Sequence, residues 1–167
     1  LNDSSVSEND GGIGAGSPTF TSGGKYHGAY SFDGNDEIRL ANQFDLDSTM
    51  NWTVSAWVKT SSDATGAQIS EPVLSHWSSG VYSGTGIDGG KICYARYDST
   101  WYLSCGSGDV ADNNWHYLTW INYENETMDL IVDGVIDTAG VNSELSGPGR
   151  TVSIGRNYNF DYFNGLI

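Results

Sequence analysis

The sequence predicts an all-β fold, on three observations. The stretch 114–134, N-W-H-Y-L-T-W-I-N-Y-E-N-E-T-M-D-L-I-V-D-G, holds two amphipathic strand patterns about a polar tetrad. Gly 22 beside Tyr 10 and Trp 6 favours short strands and tight loops. No long run of good helix formers occurs. With 167 residues, 38% of them hydrophobic, the chain is long enough to bury one core, so residues 1–167 are expected to form a single domain.

Residues 1–16 are rich in Asp, Asn, Ser and Gly and read as loop. Such a loop presents oxygens, and Asp3, Asn9 and the carbonyl of Gly11 could gather around calcium, which takes six to eight oxygen ligands. The same residues are also plain turn formers, and EF-hand spacing is absent. Along 25–40, Tyr30 and Phe32 precede the turn signal Asp33-Gly34-Asn35-Asp36, after which Ile38 and Leu40 alternate with Glu37 and Arg39. That pattern predicts a hairpin whose acidic residues Asp33, Asp36 and Glu37 are solvated. His27 has no metal-ligand partner at useful spacing.

Residues 51–59 form the clearest strand, with Trp52, Val54, Ala56 and Val58 on the core face. Trp57 falls on the polar face and is expected to be a half-buried cover there rather than an exposed platform. A polar loop over 60–68, a strand over 72–77 and a glycine-rich loop over 78–90 follow. In 91–106, a turn at Asp98-Ser99-Thr100 sets Tyr97 opposite Trp101, Ala95 opposite Leu103 and Cys93 opposite Cys105. Directly opposed residues are close enough for a cross-strand disulfide, which implies an oxidising, extracellular or cell-surface setting. Two free core thiols are the alternative.

In the central hairpin, folding about Glu124-Asn125-Glu126-Thr127 pairs Tyr123 with Met128, Ile121 with Leu130 and Thr119 with Val132 as the apolar face. Asn122 then meets Asp129, and Trp120 meets Ile131, on the other face; Asp133-Gly134 supplies the next turn. Residues 137–150 read as loop and 151–155 as a short strand. The tail R-N-Y-N-F-D-Y-F-N-G-L-I crowds Tyr158, Phe160, Tyr162 and Phe163 beside Asn, Asp and Arg. Such rings stack on sugar faces while amides and carboxylates hold hydroxyls, and they equally pack loops.

A formal charge of −14, with only seven Lys and Arg, argues against nucleic acid and against anionic membranes. No apolar run approaches the roughly 20 residues of a membrane span. The absence of a signal peptide and of an initiating Met suggests a mature product or an excised piece. N-x-S/T triplets at Asn2, Asn51 and Asn125 permit glycosylation.

The order of motifs resembles the laminin-G-like jelly-roll modules of the concanavalin A-like lectin/glucanase superfamily. The matching words are D-S-S-V-S-E-N-D-G near the start, G-A-Y-S-F-D-G-N-D-E-I, W-T-V-S-A-W-V-K, N-W-H-Y-L-T-W, M-D-L-I-V-D-G, S-I-G-R and F-N-G-L-I, in family order over nearly the whole chain. The resemblance implies a sandwich of two antiparallel sheets in jelly-roll order, lacking its terminal strands, and hence either a segment of a larger surface protein or a module whose edges a second copy or another chain completes. It implies a non-catalytic extracellular module that binds carbohydrate or a cell-surface protein. It also implies a structural calcium at Asp3, Asn9 and Gly11, although Ser7 stands where the pattern often has Asn.

Candidate sugar-binding residues are the loop aromatics Trp77, Tyr82, Tyr158, Phe160 and Tyr162. A structural repeat of a surface filament is the alternative. The nearest match to the glucanase pattern E-x-D-x-x-E is Glu124, Glu126 and Asp129 on the expected turn, and no G-x-S-x-G elbow occurs, so no catalytic residue is assigned. His116, on a strand beside Trp115, is read as structural.

Overall fold

The computed structural model describes residues 2–5, 9–41, 46–66, 68–78, 80–144 and 151–167. Ser7 and residues 145–150 of the expected 137–150 loop therefore lie outside the described residues. Among the described residues there is no helix, and the strands are all antiparallel.

In chain order the strands are β1 Gly11–Ala15, β2 Thr19–Gly24, β3 His27–Asp33, β4 Glu37–Leu40, β5 Trp52–Val58, β6 Glu71–Ser78 and β7 Val81–Asp88. They continue with β8 Lys91–Tyr97, β9 Trp101–Asp109, β10 His116–Tyr123, β11 Thr127–Val132, β12 Val135–Asn142, β13 Thr151–Ile154 and β14 Asn164–Leu166. One sheet has seven strands in the order β1-β4-β13-β6-β7-β8-β9. The opposing layer is β12-β11-β10-β5 together with β14-β3-β2, joined where Lys59 and Leu166 exchange backbone hydrogen bonds of 2.9 Å.

Between the layers lies the core, with Phe32, Val58, Ile92, Leu118, Trp120 and Leu130 almost wholly buried. Each such side chain contributes about 1.5–3 kcal/mol on leaving water. Trp120 satisfies its indole by donating from Nε1 to the carbonyl of Cys93, 2.9 Å away across the sandwich. Along β5, Val58 is buried and Trp52, Val54 and Ala56 pack against the core, as the alternation predicts. Trp57 is half-buried on the outer face, between Tyr117 (centroids 5.2 Å apart) and Tyr26 (5.6 Å), with Lys25 Nζ 4.7 Å from its ring.

Several expectations need correction. The β10–β11 hairpin pairs Tyr123 with Thr127, Trp120 with Leu130 and Leu118 with Val132, one residue away from the predicted register. The loop is shorter than the tetrad because Glu126 takes a left-handed φ of 62° and its N–H donates to the Tyr123 carbonyl. A one-residue slip exchanges the faces of a strand, so Leu118, Trp120 and Asn122 face the core and Thr119, Ile121 and Tyr123 face out. Buried Asn122 is affordable because its amide donates to the carbonyls of Ser48 (3.0 Å) and Met50 (2.7 Å) and its oxygen accepts from Ser143.

Residues 25–40 do not form a hairpin: β3 and β4 enter different sheets, and the turn between them changes layers. Asp36 and Glu37 are accordingly buried rather than solvated. Asp36 accepts from the backbone N–H groups of Ser17 and Asp33, fixing the corner. Three segments read as loop carry strand: β1 lies within 1–16, β7 within 78–90, and β12 runs into 137–150 as far as Asn142. The glycines and serines of β7 mislead because they are small for a packing reason, given below. Asp133-Gly134 makes the expected turn, with φ of 52° and 81°.

Candidate functional site

Strand alternation sends Ile92 and Tyr94 of β8 into the core and Cys93, Ala95 and Tyr97 to the opposite face of the seven-stranded sheet. Register then lines up one row across four strands: Trp77 on β6 pairs with Tyr82 on β7, Tyr82 with Tyr97 on β8, and Tyr97 with Trp101 on β9. At the usual strand spacing this aromatic row is about 14 Å long. Its rings touch, with centroids 5.0 Å apart for Tyr97 and Trp101 and 5.3 Å for Tyr82 and Trp101.

The next rows on this face are small by necessity. The Tyr82 ring lies along its own strand over Gly84, where an added Cβ would stand 2.1 Å from the phenolic oxygen. Beyond it Cys93 and Cys105 are paired as predicted and joined in a disulfide, with Cα atoms 4.1 Å apart. Ile69, from the loop before β6, closes this second apolar cluster.

A loop between β13 and β14 walls one side. Asn157 builds it: its Nδ2 donates to the Ile69 carbonyl (2.8 Å) and to Asp161 Oδ2 (2.7 Å), while its Oδ1 accepts from the N–H groups of Asn159 and Asp161 (both 2.9 Å). Phe160 takes a φ of 67° at the tip. Tyr158 and Asn159 thereby meet Ser78, Gly80, Val81, Tyr82, Tyr97 and Trp101 around a cleft of about 330 Å3. The guanidinium of Arg156 sits among rings beside it, 4.3 Å from Phe160 and 5.7 Å from both Trp77 and Tyr162.

Tyr82 is 1% exposed, and its hydroxyl has no hydrogen-bond partner among the described residues. Burial, reinforced by the nearby Asp161 carboxylate, pushes its pKa far up, so the phenol stays protonated and is a donor. Gln68 Oε1, one residue before Ile69, is likewise buried and unpartnered among the described residues.

The structure therefore brings Tyr82 and Tyr158 into the cleft and gathers Trp77, Phe160 and Tyr162 around Arg156 next to it. Sequence reasoning missed Tyr97, Trp101 and Arg156. The signal was present for two of them, since the same register that opposes Cys93 to Cys105 puts Tyr97 and Trp101 on the cysteines' face.

Asp3, Asn9 and Gly11 line a separate cleft with Asn2, Ile38, Leu40 and Ile154. The Asp3 carboxylate accepts from Ser5 N (2.8 Å), Ser5 Oγ (2.7 Å) and Asn9 N (2.7 Å), and these bonds lower its pKa. Among the described residues no group of three His, Cys, Asp or Glu side chains is placed to hold a metal. The sequon residues Asn2, Asn51 and Asn125 are all exposed. Glu124 and Glu126 stand on the β10–β11 turn as predicted, while Asp129 accepts from Tyr123 Oη and Gly140 N. His116 is held by Asp133 (2.9 Å) and Asp112 (3.1 Å).

The fold resembles solved structures at identities that carry the fold alone. Domain 4 of AbnA, a GH43 extracellular arabinanase from Geobacillus stearothermophilus, solved with arabinotriose, matches with a TM-score of 0.74 and 22% identity over 93% of this chain and 78% of that one. The binding domain of Paraclostridial Mosquitocidal Protein 1 matches with 0.70 and 14%, over 99% and 44%. Domains LG4-5 of the mouse laminin alpha1 chain match with 0.61 and 12%, over 90% and 41%, so the chain spans less than half of these two. No curated protein matches by sequence. A family profile matches residues 32–167, most of the chain, and the chain belongs to that family, the laminin-G-like branch of the concanavalin A-like lectin/glucanases superfamily.

Proposed function

We propose that this chain is a non-catalytic carbohydrate-binding module of a larger extracellular protein, and that sugar binds on the Trp77-Tyr82-Tyr97-Trp101 row under Tyr158. The observation that carries this reading is the row itself: aromatic side chains in register across four strands, with Tyr97 and Trp101 lining a cleft walled by a loop rich in amides and Tyr82 buried beneath them. Ring faces stack on the C–H faces of a sugar, and the loop's Asn159 and Asp161 offer polar groups to its hydroxyls. The arabinotriose carried by the arabinanase domain is consistent with such a role. The disulfide agrees with an extracellular setting.

Calorimetric titration with arabinotriose, backed by a glycan array, tests it. Wild-type chain should bind a sugar, and Trp101→Ala or Tyr158→Ala should weaken binding about tenfold, the loss of one stacked ring. A blank array for correctly folded protein sinks the reading.

Calcium at Asp3, Asn9 and Gly11 is part of the proposal. The Asp3 carboxylate accepts three hydrogen bonds and keeps acceptor capacity that an ion could use. Calcium titration of wild type against Asp3→Asn, read by melting temperature, checks it; equal melting with calcium and with chelator removes the ion from the proposal.

A packing module of a surface filament is favoured by one observation. Ile13 and Phe20 are 67% and 68% exposed on β1 and β2, each the edge of its sheet, which suits contact with a second copy. Light scattering showing association that Ile13→Lys abolishes would support it, and a monomer at high concentration would dismiss it.

A further inference from the structure

We infer that the layer containing β3 and β5 accepts one further strand, an extended polypeptide segment joined to Ile167 whose alternate residues are apolar; this stands apart from the carbohydrate reading. Its place is a slot inside the layer, between β5 and β3, rather than an outer edge.

Backbone pairing defines the slot. β14 lies between β3 and the end of β5: Leu166 and Lys59 exchange two hydrogen bonds of 2.9 Å, and Ile167 and Tyr30 exchange two, of 3.0 and 2.8 Å. The walls there are two strand spacings apart, about 9.5 Å, with one strand between them. Past Ile167 the walls continue, β3 back to His27 and β5 back to Trp52. Among the described residues, β5 pairs along its whole length with β10 on one side, and on the other only Lys59, just beyond its end, finds a backbone partner. Successive residues of a strand aim their N–H and C=O groups to opposite sides, so Trp57, Ser55 and Thr53 share the direction of Lys59 and face the slot. A row of alternating donors and acceptors is what an added strand satisfies.

Side chains show the same gap. On β10 and β11 the inward residues Leu118, Trp120, Met128 and Leu130 are all 0% exposed. On the walls of the slot Tyr30, Trp52, Val54 and Ala56 also pack against the core, yet each is only partly buried. Apolar residues on the inner face of an added strand would cover them, while exposed Thr53 and Ser55 suit polar neighbours on the outer face.

Polypeptide joined to Ile167 suits the slot because the bonds of Leu166 and Ile167 already fix its direction, antiparallel to both walls, and its register. The link also makes insertion intramolecular, an advantage that a free peptide or a second copy lacks. A segment of about six residues, roughly 20 Å long, reaches along β5 from Trp57 to Trp52.

The test compares three chains by amide hydrogen exchange at Thr53, Ser55 and Trp57: residues 1–167 alone, and the same chain extended after Ile167 by a strand of alternating Thr and Val that begins with Thr or with Val. Ile167 packs against the core, so beginning with Thr puts Val on the inward positions, and beginning with Val turns it outward. Exchange of the three amides should slow at least about a hundredfold in the extension that begins with Thr, and in that chain alone. If that extension exchanges like either of the other two chains, the inference is overturned. Protection that grows with concentration in the unextended chain would give the slot to a second copy, and overturns it too.

Discussion

Glu37 and Arg156 are 119 residues apart in the chain and 2.9 Å apart in the fold. The pair ties the first strand after the layer-changing corner to the loop that walls the aromatic groove. Glu37 is fully buried and also accepts from Ser153 and Arg39, so its charge is shared among three donors. Arg156 in turn is the post around which Trp77, Phe160 and Tyr162 are arranged. Groove shape therefore depends on a carboxylate that never touches the groove.

Glu37→Gln should destabilise the chain by roughly 3–5 kcal/mol, because Arg156 is left buried without its counter-charge. Burial alone would raise the Glu37 carboxyl, but Ser153, Arg156 and Arg39 together hold it below the ordinary glutamate value. A lowered folded pKa gives stability that is present above the unfolded value and is lost as pH falls through the folded one. Denaturant midpoints between pH 7 and pH 3 should fall for wild type and fall less for Glu37→Gln; parallel curves would show that the pair carries no such linkage.

His116 should show the opposite sign. Burial pulls the imidazole down, yet hydrogen bonds to Asp133 and Asp112 outweigh it and raise its pKa above that of a free histidine. Its contribution is complete below the unfolded value and disappears as pH rises through the folded one. A proton NMR titration should find His116 titrating late, and Asp133→Asn should bring it down; an unmoved titration would refute the contact.

The Cys93–Cys105 disulfide closes a short loop, with a sequence separation of 12. Replacing both cysteines by Ala should lower stability by about 2–3 kcal/mol. Because the sulfurs lie in the cluster beneath Tyr82 and Trp101, sugar affinity should drop as well. Unchanged melting in reductant would contradict the first expectation.

Gly84→Ala separates groove from core. The new Cβ would meet Tyr82 Oη at 2.1 Å and Cζ at 2.8 Å, displacing the ring on the outer face without entering the space between the sheets. Sugar binding should fall by more than tenfold while the melting temperature falls by only a few degrees. Retained affinity would show that Tyr82 is not in the site.

Local alternation and composition were enough to specify strands, the core face of β5, the Cys93–Cys105 register and the aromatic character of the tail, because each depends on neighbours two to twelve residues away. Only tertiary structure decided the rest. Asn122 looks like a surface residue until Ser48, Met50 and Ser143 arrive to satisfy its amide. Asp36 and Glu37 look like a solvated turn until the chain changes layers there and Ser17, Ser153 and Arg156 close over them. The strand β7 looks like a loop because Gly84 has no side chain, and its lack of one is explained only by the Tyr82 ring that fills the space. Side-chain period is a property of the strand itself, whereas burial of a charge or an amide is affordable only through partners brought from distant parts of the chain. That is why the sequence announces the sandwich, and why the groove becomes visible only after the sheet is assembled.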